Sequence, residues 1–243
     1  MPQTRLIERA EPIPNTTWGK PRHNVIKGDR QRIELSRGCP HNCPFCYEPQ
    51  ELEVFPIPRI ERNYVEILDM NFLYQPDVAK RIQALGKIRV NSKVIYYELV
   101  CGLDFSLLTL EIAKNLKQSR FVKIRMAWDW FLEDQYRIKD AIKMLLESGY
   151  KRADISLFMI TNWTIPKSEC EKKLDLMKIW NVKVCDCCYD GGYRHAIPER
   201  WTASELKEFR AKCRRHNLLV LFGIDPNVYI AGKHKWRKKA VQK

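Results

Sequence analysis

Arg32-Ile-Glu-Leu-Ser-Arg-Gly-Cys-Pro-His-Asn-Cys-Pro-Phe-Cys-Tyr-Glu48 decides how the rest of the chain is read. Arg32 to Ser36 reads as a first β-strand, and it runs directly into three cysteines, Cys39, Cys43 and Cys46, spaced C-x3-C-x2-C. Three thiolates in one tight loop suit a [4Fe-4S] cluster and leave its fourth iron without a protein ligand. Electron-carrying clusters mostly use four cysteines, so a run of three points to an iron that binds a substrate or cofactor.

Residues 1–29 hold Pro2, Pro12, Pro14 and Pro21 and read as an irregular N-terminal segment. After the cysteines, strand-like and helix-like segments alternate. Strands are expected at 64–68, 93–100, 121–127, 155–160 and 182–185, and Leu218 to Phe222 reads as a closing strand. Helices are expected at about 76–85, 106–116, 134–148 and 167–179, with Gly149 placed to end the third. Thr202-Ala-Ser-Glu205 is a capping box opening another. Between Cys46 and the second strand, Pro49, Pro56 and Pro58 leave little room for a helix, so that crossover is expected to be short or distorted. The fold class is α/β, a partial (βα)6-type TIM barrel over 30–225, followed by a basic tail over 226–243. Such barrels build their sites at the C-terminal strand ends. The polar marks Asp69, Asn71, Asp104, Asp129 and Asn162 stand at such ends.

The 243 residues are 45% hydrophobic and 30% charged, which fits a soluble enzyme better than a disordered chain. No stretch approaches a membrane span and the N-terminus lacks a secretion signal, so a cytoplasmic location is expected. There, nine cysteines read as metal ligands and buried thiols rather than disulfides. A net charge of +14 favours anionic partners, nucleic acid among them. In the tail, Trp236 stands among Lys and Arg, as a base-stacking residue or in a solvated end.

The cysteine run after a first barrel strand, with Phe45 before its last cysteine, resembles the radical S-adenosylmethionine (SAM) superfamily. Asp69-Met-Asn-Phe72, Gly102-Leu-Asp104 and Arg125-Met-Ala-Trp-Asp129 are similar to a small branch of it, of the cobalamin-associated type but with no room for a cobalamin domain. The resemblance implies a [4Fe-4S] cluster on the three cysteines, with SAM chelating the open iron. SAM is then cleaved to a 5′-deoxyadenosyl radical that takes hydrogen from a substrate. It implies an electron donor such as flavodoxin or ferredoxin. The Gly-Gly-Glu common after the second strand is absent, and Asp69 and Asn71 stand in its place. On this reading Asp69 accepts from the SAM ammonium, Arg125 pairs with its carboxylate, Asp129 binds the ribose, and the backbone near Phe45 reads the adenine. Gly102, Asp104 and Asn162 complete the expected cofactor-binding set.

Each residue has a plainer reading. Asp69 and Asp104 suit helix caps, Arg125 a surface ion pair, Asn162 a turn, and Gly102 a backbone demand. Cys185, Cys187 and Cys188 end the sixth strand, as buried thiols, second-cluster ligands or thiols acting on a radical. Cys187 and Cys188, with His195 in the glycine-rich loop that follows, are the candidate catalytic residues. Cys101, Cys170 and Cys213 read as core positions. His41 inside the cysteine loop keeps a Cys3His zinc site open. The substrate is expected to be a nucleotide or nucleic acid, with a peptide or small metabolite as the enzymatic alternative. A non-enzymatic iron–sulfur protein that binds nucleic acid or senses redox state is the alternative of another class.

Overall fold

Among the described residues, six strands run parallel in chain order. The structure, a computed structural model, describes residues 24–224 apart from 42, 44, 47, 130–131, 164 and 190–199. An antiparallel hairpin of β1 (Asn24–Lys27) and β2 (Arg30–Ile33) leads in. β2 then pairs in parallel with β5 (Tyr64–Ile67), and β5 with β8 (Tyr96–Leu99). A second sheet joins β9 (Ile124–Ala127), β10 (Ile155–Thr161) and β11 (Lys183–Cys188), also in parallel. Two parallel bridges, Tyr97 with Phe121 and Leu103 with Met126, stitch β8 to β9. The order is therefore β2-β5-β8-β9-β10-β11, and among the described residues no sheet closes on itself.

The crossovers are helices α1 (Val78–Lys87), α2 (Leu110–Gln118), α3 (Gln135–Glu147), α4 (Lys167–Trp180) and α5 (Ala203–Leu221). Each lays an apolar stripe on the sheet; in α3 it is Ile138, Ala141, Ile142 and Leu145. Thr109 caps α2 by accepting from Ile112 N–H at 3.2 Å, and Thr202 and Glu205 form the expected capping box on α5. Gly149, at φ +92°, ends the α3 turn.

Three segments depart from the sequence reading. Residues 24–27, placed in the irregular segment, form β1. Residues 93–100 are two strands, because β6 (Arg89–Val90) and β7 (Lys93–Val94) form a small hairpin before β8 begins. Leu218 to Leu221 continue α5 instead of forming a strand: nothing breaks the helix after its capped start, and the run's apolar side chains Leu218 and Leu221 are left exposed. The first crossover holds no helix among its described residues. A two-residue pairing of β3 (Ser36–Arg37) with β4 (Glu53–Val54) ties its ends instead. Among the described residues, no helix is long and apolar enough to cross a membrane.

Alternation along the strands separates two faces. Ile33, Val65, Ile67, Tyr97, Leu99, Met126, Leu157, Met159 and Val184 are buried in one core with the helices. The opposite parity carries Arg30, Arg32, Glu66, Glu98, Arg125, Ser156, Lys183, Cys185 and Cys187. All-parallel sheets usually bury both faces under apolar side chains. Here the second face is charged and partly exposed, and it is called the open face below.

Candidate functional site

The cysteine loop leaves β3 through Gly38, whose φ is +110° and which has no room for a side chain: a Cβ there would sit 2.2 Å from Glu51 O. Two bonds then fix the loop. Gly38 N–H donates to Glu48 Oε1 at 2.6 Å, and Cys39 N–H to Pro49 O at 2.8 Å. Cys46 N–H closes a turn on Cys43 O at 2.9 Å. All three thiols are half-buried. Burial pushes the Cys46 thiol up, the Glu48 N–H at 3.5 Å from its Sγ opposes this, and Cys43, Glu48 and Cys39 add to it, so Cys46 lies within electrostatic reach of both other cysteines. Among the described residues no group of three His, Cys, Asp or Glu is arranged to hold one metal ion. A cluster spreads its thiolates over three separate irons, so it does not require that single-ion geometry.

Asn71, after β5, lies against this loop. Its Nδ2 is 3.5 Å from Cys39 Sγ and 3.4 Å from Asp104 Oδ2, two acceptors that fix which way the amide points. Its Oδ1 is buried and has no hydrogen-bond partner among the described residues. An unpaired buried acceptor costs about 1–3 kcal/mol, and a ligand ammonium is a donor of the kind it lacks. Asp104 Oδ2 also lies 2.5 Å from His41 Nε2, while Oδ1 accepts from Ser106 N–H at 2.9 Å. Burial would raise this carboxyl, but the bonds from His41 and Ser106 outweigh it and hold it below its ordinary value. Asp104 thus caps a turn and clamps the cysteine loop at once.

Asp69 has other employment than a cofactor ammonium. It is buried and accepts from Leu35 N–H at 2.8 Å, Ser36 Oγ at 2.7 Å and Gln75 Nε2 at 3.0 Å. It anchors the chain entering the cysteine loop, and burial pushes its carboxyl up to about 7. Arg125 is likewise engaged: it pairs with the buried Glu98 on the open face, and its Nη1 reaches Leu99 O at 3.4 Å. Tyr64 and Lys123 bind the same carboxylate.

Asp129 follows β9. The ammonium of Lys173, a fully buried α4 residue, lies 3.4 Å from Trp128 O and 3.5 Å from Asp129 O. Burial raises the Asp129 carboxyl to about 6, with Lys173 opposing. Gly102 has φ +91°, and a Cβ there would meet the Phe158 ring at 2.7 Å, so glycine is required by packing. Asn162, at φ +61°, is a turn residue whose Nδ2 donates to Tyr189 O at 3.0 Å. Beside it Trp163 packs edge-on to both Phe45, at 6.0 Å between centroids, and Tyr189, at 4.2 Å. This aromatic chain ties the cysteine loop to the ends of β10 and β11.

Cys185 and Cys187 point to the open face, and Cys187 is exposed; Cys188 has the opposite parity and packs on the core. Cys101 Sγ donates to Leu68 O at 3.3 Å, and burial pushes its thiol up to about 12, with Asp69, Glu48 and Cys46 contributing. Cys170 and Cys213 are buried, as expected. His195 and the basic tail lie outside the described residues.

The strand ends therefore bring together the cysteine loop, Asn71, Asp104, Trp163 and Tyr189. Asp69 and Arg125 support that rim by bonds inside the protein. Sequence reasoning passed over Trp163, Lys173, Glu48 and Glu98; a Trp directly after Asn162 at a strand end was the one visible signal. The donor set suits a cluster with one open iron and a ligand amine beside Asn71. No family model matches the chain, and no curated protein matches it in sequence.

Proposed function

We propose that the chain is a radical SAM enzyme built on an open (βα)6 half-barrel, with Cys39, Cys43 and Cys46 as the ligands of a [4Fe-4S] cluster. The observation that carries this is the cysteine loop held against a strand-end rim, with the Oδ1 of Asn71, unpartnered among the described residues, beside Cys39. When bound, cluster and SAM supply a 5′-deoxyadenosyl radical that takes hydrogen from the substrate.

The chain's own residues bind and orient. Asn71 accepts from the SAM ammonium, the place first given to Asp69. Asp69 and Glu48 hold the loop's entrance and exit, which fixes the span that carries the three thiols. Asp104 restrains His41 and thereby the loop tip. Asp129, with Lys173 against its backbone, offers a carboxylate to the ribose hydroxyls. Trp163, Phe45 and Tyr189 form an apolar wall that excludes water from the reacting centre. Electrons come from a flavodoxin- or ferredoxin-like donor, and the reduced thiols fit a cytoplasmic setting. The substrate is a nucleotide or nucleic acid, a reading supported by the excess of basic residues.

The test is anaerobic reconstitution with iron and sulfide, followed by dithionite and SAM. Formation of 5′-deoxyadenosine is expected. An intact cluster that yields none removes the enzymatic reading and leaves the iron–sulfur sensor.

A further inference from the structure

The open face is a charged wall. Arg30 Nη1 lies 2.5 Å from Glu66 Oε1 and Arg32 Nε 2.8 Å from Glu66 Oε2. Lys123 Nζ lies 3.1 Å from Glu98 Oε2, and Arg125 pairs with the other oxygen. Strand register continues the row through Ser156 to Lys183, which has no carboxylate at ion-pair distance among the described residues. Glu34, next along β2, is taken by Arg37. Five cations thus stand in a row with two ion-paired carboxylates, while Asp29 and Asp154 act on Arg30 and Lys183 from beyond ion-pair distance, and the balance stays positive.

The distribution of exposure is as informative as the count. Glu66 and Glu98 are 8% and 3% exposed, whereas Arg30, Arg32 and Lys123 are 41%, 49% and 51% exposed. The acids are sunk behind the cations, so the surface that meets solvent is positive. A network serving stability alone would match its charges, because an unmatched cation in a half-buried wall is repelled by its neighbours. Burial lowers the Lys183 pKa; Cys185 and Asp154 oppose this, and Arg125 and Lys123 add to it. Aromatic rings interleave the cations. Tyr64 lies beneath Arg30 at 4.5 Å and Lys123 at 5.2 Å, and its register partner Tyr96 is exposed.

We infer that this wall is the binding site for a phosphate-bearing ligand, a nucleotide or a single strand, with Arg32 and Lys183 making phosphate contacts and Tyr96 offering a stacking face. Arg30 and Lys123 add to the field, while Arg125 holds Glu98 down. From Arg32 to Ser36, where the cysteine loop begins, is about 13 Å along the strand at roughly 3.3 Å per residue. The ligand therefore lies extended along the open face with one end toward the strand-end rim. The inference rests on the proposed enzyme only in naming this ligand its substrate.

The test is fluorescence anisotropy with a short labelled single-stranded RNA, repeated with a labelled nucleoside triphosphate, on the full chain without SAM. Lys183→Ala and Arg32→Ala are each expected to weaken binding roughly fivefold and to lower the salt slope by about one. Glu66 keeps Arg30 when Arg32 is lost, and among the described residues Lys183 has no ion-pair partner to orphan, so both variants should fold, as circular dichroism would check. Lys80→Ala, an exposed residue of α1, is the control. Tighter binding of the RNA marks a strand as ligand, and equal binding of the triphosphate marks a single nucleotide; both keep the site. Wall variants that bind like the control overturn it. Wild-type protein that binds the probes but makes no 5′-deoxyadenosine keeps the site and removes the enzyme. Turnover of SAM with wall variants that bind normally does the reverse.

Discussion

Replacing Gly38 by alanine is expected to cost the protein the cluster proposed on Cys39, Cys43 and Cys46. A Cβ at this position would lie 2.2 Å from Glu51 O and 2.8 Å from Leu52 Cα, both backbone atoms. The 50–52 stretch would have to retreat by about 1.2 Å to reach ordinary contact at 3.4 Å. The φ of +110° adds strain of order 1–3 kcal/mol for a residue with a side chain. Retreat also breaks the Gly38 bond to Glu48, worth about 1.5–3 kcal/mol as a bond to a charged group, and the Cys39 bond to Pro49, worth about 1 kcal/mol. The sum is about 4–7 kcal/mol, comparable to the whole stability of a domain. Because the loop can open locally, the global fold loses only what that opening costs, and iron binding is the more sensitive readout. Iron and sulfide content after reconstitution should fall severalfold, alongside a lowered midpoint in guanidinium. Gly28→Ala is the control: its φ is +61° with nothing within 4 Å, so it pays only left-handed strain of about 1–2 kcal/mol. A Gly38→Ala protein with full iron content and the stability of Gly28→Ala would refute the reasoning.

Asn71→Ala should retain the cluster but bind SAM about tenfold more weakly, the worth of roughly one hydrogen bond to a charged group; unchanged affinity by equilibrium dialysis would remove Asn71 from the site. Asp69 gives the fold a pH dependence of stated sign. Its carboxyl is raised from 3.8 to about 7, so the folded state holds the proton more tightly than the unfolded chain. That contribution is present below about pH 4 and is lost as pH rises toward about 7, on the order of 4 kcal/mol in all. Urea melts across that range should show the loss in the wild type and a flatter profile in Asp69→Asn; parallel profiles would sink the assignment.

The cysteine loop and the parallel strand order were legible because both are written locally, in spacing and in apolar runs of strand length. Gly102 and Asn162 were readable as backbone residues, and their φ values agree. Asp69 and Arg125 were readable as important but not in their partners. Those partners, Leu35 and Glu98, lie 34 and 27 residues away and meet them only through strand register. Trp163 was passed over for the same reason: its neighbours Phe45 and Tyr189 arrive from two other strand ends. The Leu218 to Phe222 run misled because five apolar residues fit a strand or the end of a long helix equally well.

The seam between β8 and β9 has a consequence for how the molecule breathes. Elsewhere neighbouring parallel strands share ladders of four or six registered pairs, but here only two isolated bridges cross. On one side stand the cysteine loop, Asn71 and Asp104; on the other, Asp129, Trp163 and Cys187. Amide protons of Leu103, Val122 and Ala127, which bond across the seam, should exchange with deuterium ahead of those inside either ladder. Opening there would part the thiols from the carboxylate across the rim without unfolding either half, and the pairs of Arg125 and Lys123 with Glu98 are the latches that span it.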